Sequence, residues 1–170
     1  MRSLIILFIT FLISTCTYSQ WTNKTRILPD ELRKIPETIF IRHSPNPVYP
    51  EQTISSDQSE YKYVWRHSTS VTSITKELTV VRAGSYIWHN EEGWKQNVIL
   101  SKKDFQKKFK CRKGKLKKGI TYTYDQNYRW GNNTFGGDAL WYVLAEDDSG
   151  KLYKAISIIE TESETKTPKQ

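Results

Sequence analysis

The chain has 170 residues, with 26 Lys and Arg against 18 Asp and Glu, so its formal net charge is +8. This length fits one domain, with or without an arm, and leaves little room for a two-domain enzyme. Hydrophobic residues form 37% of the chain and aromatic residues 13%. The chain is thus too polar for a multi-span membrane protein and too apolar for a wholly disordered one. Its positive charge favours an anionic partner.

The N-terminus is typical of a secretory signal peptide. Arg2 gives it a positive start, and residues 4–13 form an apolar run that is too short to cross a bilayer as a helix. Ser19 is the small residue expected before a cleavage site, and the whole pattern is similar to that of bacterial envelope and secreted proteins. We expect residues 1–19 to be removed. The mature protein would then begin near Gln20, be secreted or periplasmic, and hold no transmembrane segment.

The cysteine at position 16 allows an alternative to simple secretion, a lipid-anchored protein. Residues 13–16 (ISTC) approach the bacterial lipoprotein pattern, which would attach a lipid to Cys16, although Thr15 is larger than the residue that usually precedes such a cysteine. If the signal peptide is removed, Cys111 is the only cysteine left and no intramolecular disulfide can form. The fold then depends on an ordinary core, in which we expect Cys111 to be a small apolar residue.

Proline and polar residues divide the remaining chain into an arm, a body and a tail. Five of the six prolines lie between residues 29 and 50, where they block long helices and central strands. We therefore predict that residues 20–59 form a proline-rich arm or linker, with a short edge strand at 39–41. Residues 161–170 contain no apolar side chain and are predicted to be a disordered tail.

Residues 60–160 are predicted to form the folded body, because apolar and polar residues alternate there with a period of two. Residues 139–145 (ALWYVLA) are apolar on both faces, as in a central strand. Polar turns containing glycine predict one hairpin over residues 85–100 and another at the C-terminal end of the body. The predicted fold is all-β with one short helix, arranged as a β-sandwich or small open barrel of about seven strands.

The short helix interrupts the β pattern at residues 101–111. Ser101 is a suitable N-cap, and Asp104 stands at the third helical position, as in a capping box. Phe105 and Phe109 lie one turn apart and can dock together on the sheet. The sequence therefore predicts a helix with one apolar face.

Most of the positive charge lies in this helix and just after it. Ten basic residues between 102 and 118 face one acid, Asp104, so the segment carries +9, while the rest of the mature chain sums to −2. Charge runs are often only solvated faces, but Lys102 and Lys103 oppose the helix dipole, which favours a binding surface. The candidate ligand-binding residues are Lys102, Lys103, Lys107, Lys108, Lys110, Arg112, Lys113, Lys115, Lys117 and Lys118.

The small number of aromatic and apolar residues in this segment makes some classes of anionic partner less favoured than others. An exported protein meets anionic polysaccharide, lipid headgroups and acidic proteins, and the leading hypothesis is that residues 102–118 bind one of these. Nucleic acid is less favoured, since Phe105 and Phe109 are the only aromatic residues available for stacking on bases. A helix lying on a membrane surface would also need a wider apolar face than these two residues provide.

The tryptophans suggest a second hypothesis, a neutral-glycan-binding module. Trp88, Trp94 and Trp130 stand at segment ends or next to turns, where exposed rings can stack on sugars. Aromatic residues in strands more often fill the core. Trp94 and Trp130 are therefore kept as the two candidate sugar-binding residues.

Signals for catalysis and metal binding are weak. Residues 131–138 are rich in glycine and end at Asp138, which makes a small hydrolase a third hypothesis. His43, His67 and His89 lie in unrelated segments without the spacing of metal ligands. We predict no catalytic residue, no metal site and no cofactor, and an enzyme is the less favoured class.

Overall fold

The computed structural model describes residues 26–57, 59–90 and 92–165. The predicted signal peptide at 1–19, the candidate lipid attachment site Cys16 and the last five residues of the predicted tail lie outside these ranges. Within the ranges, no helix is long and apolar enough to cross a bilayer.

Eleven strands and two α-helices make up the described fold. The helices are α1 (Asp30–Arg33) and α2 (Lys102–Lys108). The strands, in chain order, are β1 (Ile39–Ser44), β2 (Pro50–Gln52), β3 (Tyr63–Trp65), β4 (Ser68–Ser73), β5 (Leu78–His89), β6 (Gly93–Ser101), β7 (Lys115–Leu116), β8 (Thr121–Tyr124), β9 (Arg129–Gly131), β10 (Gly137–Glu146) and β11 (Leu152–Thr161). Short 3-10 turns lie at Ser55–Asp57 and Arg112–Gly114.

The strands form three sheets in which neighbouring strands are antiparallel. The main sheet has the order β11-β10-β5-β6, and β7 pairs with the start of β5. Two three-stranded sheets have the orders β1-β4-β8 and β2-β3-β9. The prediction of an all-β fold with one short helix is confirmed, and the sheets do not close into a barrel.

The structure has more strands than the predicted seven because several of them are very short. β2, β3 and β9 have three residues each and β7 has two, which is too few to show a period of two in the sequence. Both predicted hairpins are confirmed, since β5 pairs with β6 and β10 with β11.

β10 lies inside the main sheet and buries side chains on both faces, as its sequence predicts. Trp141 contributes to an apolar cluster that also contains Val71 of β4 and Trp65 of β3, so that the three sheets share one core. Its neighbour Tyr142 points to the opposite face and packs in a second cluster with Leu32 of α1. α1 therefore covers the outer face of the main sheet.

The described part of the proline-rich segment belongs to this fold. β1 pairs with β4 over six residues, and the main chain of Val48 forms hydrogen bonds with Glu160 and Glu162 at the end of β11. The prolines permit this because they lie between elements or at their ends. Pro45 and Pro47 follow β1, and Pro50 is the first residue of β2.

α2 begins as predicted and ends earlier. The Ser101 hydroxyl accepts a hydrogen bond from the Asp104 amide, and the Asp104 carboxylate accepts one from the Ser101 amide, both at 3.2 Å, which confirms the capping box. The helix does not reach residue 111, because Lys110 has a positive φ of 53°. The Cys111 amide instead donates to the Gln106 carbonyl oxygen at 3.1 Å, as in a Schellman motif.

Candidate functional site

The basic segment, residues 102–118, is anchored to the core by apolar side chains. Phe105 and Phe109 are buried, and their rings stack with centroids 4.2 Å apart. Cys111 and Leu116 are fully buried further along the segment. Four anchors therefore hold the segment in place and leave its basic side chains on the outside.

Some of these basic side chains already have partners. Nine of the ten basic residues are exposed and Lys108 is half-buried. Three contacts of 3.0 Å join the segment to its surroundings, from Lys108 to the Tyr124 hydroxyl, from Lys110 to Asp125 and from Lys115 to Glu77. The two ion pairs are exposed to solvent, so they contribute little to stability.

The other seven basic residues form no ion pair with any residue that the structure describes. They are Lys102, Lys103, Lys107, Arg112, Lys113, Lys117 and Lys118. Ten cations against the four carboxylates of Asp104, Asp125, Glu77 and Asp148 leave a local charge of +6. Cations this dense repel one another, and an anionic ligand would relieve that repulsion.

A hollow of about 520 Å³ lies at the C-terminal end of α2. Its lining includes three of the lysines and two carboxylates, so its own net charge is small. The full set is Asp104, Lys107, Lys108, Lys110, Tyr124, Asp125 and Gln126. The uncompensated charge extends beyond the hollow, along the start of α2 and residues 112–118. This distribution suits an extended polyanion better than a single small anion.

Trp94 does not form an exposed platform for stacking on a sugar. It faces Trp88 across β5 and β6, with the two rings edge to face and 5.2 Å apart. Trp94 is half-buried and packs against the cluster that contains Leu32. The guanidinium of Arg26 lies over the Trp88 ring, 5.5 Å from its centroid. Both rings are therefore partly covered by other side chains.

Trp130 is separate from this pair. It lies on β9, next to Tyr128, and no ring contact joins it to Trp88 or Trp94 in the described parts of the chain. Trp130 lines a pocket of about 390 Å³ together with residues from the main sheet and from the segment after β8. The lining is His67, Ile87, Asn97, Val98, Asn127, Tyr128, Arg129, Trp130, Phe135, Ala139, Trp141, Ile159 and Thr161.

Arg129 is the only lining residue of this pocket that carries a full charge at neutral pH. Its guanidinium lies 3.7 Å from the centroid of the Phe135 ring, which also stacks on the buried ring of Trp65. One guanidinium nitrogen donates to the Thr161 hydroxyl at 3.1 Å. Burial lowers the pKa of Arg129 to about 10. No carboxylate in the described ranges forms an ion pair with it.

Two histidines lie together at this pocket, and one of them, His67, belongs to its lining. His43 and His67 are buried, with ring centroids 6.2 Å apart. The Nδ1 atom of His43 lies 2.9 Å from the Thr69 hydroxyl, which also accepts a hydrogen bond of 2.7 Å from the Asn127 amide. Burial lowers the pKa of each histidine to about 4. Both imidazoles are therefore neutral at pH 7, and they add no charge to the pocket.

The sequence placed these histidines in unrelated segments, and the structure brings two of them together. The signal that could have indicated this is the alternation along β1, where His43 shares the buried face with Ile39 and Ile41. Arg129 has no comparable signal, since its pocket is assembled from distant strands. Of the chain that the structure describes, no group of three or more His, Cys, Asp or Glu side chains is placed to hold a metal ion.

The remaining candidate residues have structural partners. Cys111 donates from Sγ to the Lys115 carbonyl oxygen at 3.2 Å, and burial raises the pKa of its thiol to about 11. It is thus a protonated core residue at neutral pH. Asp138, named in the hydrolase hypothesis, forms an ion pair with Arg26.

Comparison of the chain with protein-family models, curated proteins and solved structures finds no match. The functional argument therefore depends on the residues and their geometry.

Proposed function

We propose that this protein is an exported binding protein of the bacterial envelope or extracellular space, and that residues 102–118 engage an anionic polymer. The observation that carries the proposal is the set of seven exposed basic side chains without an ion pair in the described structure, on a segment anchored by buried residues. Anchoring matters because cations held close together bind a polyanion without a large ordering cost.

An anionic polysaccharide fits this surface better than a lipid headgroup or an acidic protein. The only two aromatic side chains of the segment, Phe105 and Phe109, are buried against the core, so α2 has no apolar face left to enter a membrane. The charge is spread over 17 positions, 102–118, and a flexible polyanion can follow such a surface. Nucleic acid remains less favoured, because base stacking would need exposed aromatic residues in the segment.

The test measures binding of the full chain to heparin, used as an anionic polysaccharide probe, at several salt concentrations. We expect affinity to fall steeply as salt rises, because cations of the segment displace counterions from the polymer. Replacing Lys113, Lys117 and Lys118 together by Gln should weaken binding about tenfold and reduce the salt dependence. The matched control replaces three exposed basic residues elsewhere, Lys34, Arg42 and Lys62, and changes the net charge equally.

The two triple variants separate a local surface from general charge. Equal losses in both would show that only net charge matters, and salt-independent binding would contradict the proposal outright. Anionic phospholipid vesicles and an acidic peptide serve as parallel probes. Tighter, salt-sensitive binding to either of them would overturn the choice of polysaccharide.

A further inference from the structure

The pocket beside Trp130 combines one cation with apolar and aromatic walls. Its thirteen lining residues include Arg129 and no Asp or Glu. Four aromatic residues form part of the wall, and Asn97 and Asn127 add side-chain amides to the lining. The four are Tyr128, Trp130, Phe135 and Trp141. A guanidinium in such a site has lost much of its hydration without gaining a carboxylate partner, which is a costly arrangement unless a ligand supplies the anion.

Arg129 is also fixed in position before any ligand arrives. Phe135 lies between its guanidinium and the ring of Trp65, which is fully buried. The Thr161 hydroxyl accepts from Arg129 and in turn donates to the Gly137 carbonyl oxygen at 2.8 Å. These contacts restrict the conformation of the Arg129 side chain, so little conformational entropy would be lost when a ligand binds.

We propose that this pocket binds a carboxylate carried on a six-membered ring, with the carboxylate at Arg129 and the ring against the apolar and aromatic wall. A guanidinium matches the planar, two-oxygen geometry of a carboxylate. The volume of about 390 Å³ is at the lower end of the range for small-molecule sites and accommodates a single ring with its substituents. An acidic sugar and an aromatic acid share this chemistry.

The pocket adjoins the basic surface in the chain. Tyr124, Asp125 and Gln126 line the hollow at the end of α2, and the next residue in the chain, Asn127, lines the pocket. If the proposed polysaccharide binding holds, the pocket is placed to accept one acidic sugar unit of the polymer. The pocket proposal itself needs only the geometry around Arg129.

The experiment titrates the full chain with D-glucuronate, benzoate and D-glucose, and follows the indole signals by nuclear magnetic resonance, with that of Trp130 assigned from Trp130→Phe. We expect at least one of the two carboxylates to bind and shift the Trp130 signal, and glucose to bind at least tenfold more weakly. Binding of glucuronate alone indicates an acidic sugar, and binding of benzoate alone indicates an aromatic acid. No shift with either carboxylate, or equal binding of glucose, would overturn the proposal.

Variants then test the role of Arg129. Arg129→Gln should weaken carboxylate binding at least tenfold, while Arg42→Gln, which removes an exposed arginine, should leave it unchanged. If circular dichroism shows that Arg129→Gln does not fold, the methyl ester of the bound acid is titrated into the wild-type chain instead. It should bind at least tenfold more weakly than the free acid, and equal affinity would contradict the assignment. Loss of this site with intact, salt-sensitive heparin binding would leave the proposed function standing.

Discussion

The Nζ atom of Lys154 donates a hydrogen bond of 2.7 Å to the backbone carbonyl oxygen of Leu32, and both residues are buried. This contact joins β11, near the C-terminal end of the fold, to α1, near its beginning. The backbone of Lys154 adds a second link, because its amide donates to the Pro36 carbonyl oxygen at 2.9 Å. The segment between α1 and β1 is thereby fixed to the edge of the main sheet.

Replacing this lysine should destabilise the fold. Lys154→Met keeps most of the aliphatic stem but removes the donor, so the Leu32 carbonyl oxygen is left buried without its partner. We expect the free energy of unfolding, measured with urea, to fall by about 2 kcal/mol. The control Lys151→Met changes an exposed lysine on the same chain segment and should stay within about 0.5 kcal/mol of wild type. Equal effects in the two variants would contradict a structural role for Lys154.

At the end of α2, by contrast, a substitution is predicted to stabilise the fold. Lys110 occupies the left-handed position of the Schellman motif, with φ of 53°, where glycine is normally favoured. Lys110→Gly removes the cost of this conformation and loses only an exposed ion pair with Asp125. We expect thermal or urea unfolding to show a gain of about 1 kcal/mol. Lys107→Gly, inside the helix, should lose about 1 kcal/mol, and a loss in both variants would argue against the motif.

Local patterns in the sequence predicted the elements that depend on neighbouring residues. The capping box needs only Ser101 and Asp104, and both hairpins follow from alternation on either side of a polar turn. The two-sided burial of β10 was also visible, because residues 139–145 are apolar at every position. The concentration of positive charge in residues 102–118 can be counted directly from the sequence.

Long-range contacts explain what the sequence did not predict. The sequence predicted an edge strand only at 39–41, whereas β1 extends from Ile39 to Ser44 because all six residues pair with the distant β4. The pocket around Arg129 is assembled from β9, β10, β11 and the β5–β6 hairpin. Nothing near Arg129 in the chain indicates that it lacks an acidic partner. The basic surface was therefore identified from sequence, whereas the pocket emerged only from the structure.

Gly84 of β5 lies so close to the backbone of β6 that no side chain fits there. A Cβ atom there would lie 2.2 Å from the Val98 carbonyl oxygen and 2.9 Å from the Tyr142 hydroxyl. Gly84→Ala should therefore force β5 and β6 apart and reduce the free energy of unfolding by about 3 kcal/mol or more. Gly119→Ala is the comparison, since no atom lies within 4 Å of its Cβ position and only its φ of 74° is unfavourable. That variant should lose about 1 kcal/mol, and similar losses would contradict the steric argument.

The buried histidines predict a pH dependence of stability. Burial lowers the pKa of His43 and of His67 from 6.5 to about 4, so between these pH values the unfolded chain binds more protons than the folded one. The contribution of these histidines to the free energy of unfolding should be fully present above about pH 6.5 and should be lost as the pH decreases toward 4. At pH 5 each histidine should account for a loss of about 2 kcal/mol relative to neutral pH. The Asp147 carboxyl group, whose pKa is also lowered, contributes a pH dependence only below this window.

Urea unfolding of three chains at pH 7.5 and pH 5.0 measures this effect. His67→Gln removes one titrating group, so the loss of stability between the two pH values should be roughly halved. His89→Gln replaces an exposed histidine and should show the same loss as wild type. If wild type is equally stable at both pH values, or if His67→Gln loses as much as His89→Gln, the two buried imidazoles do not control stability.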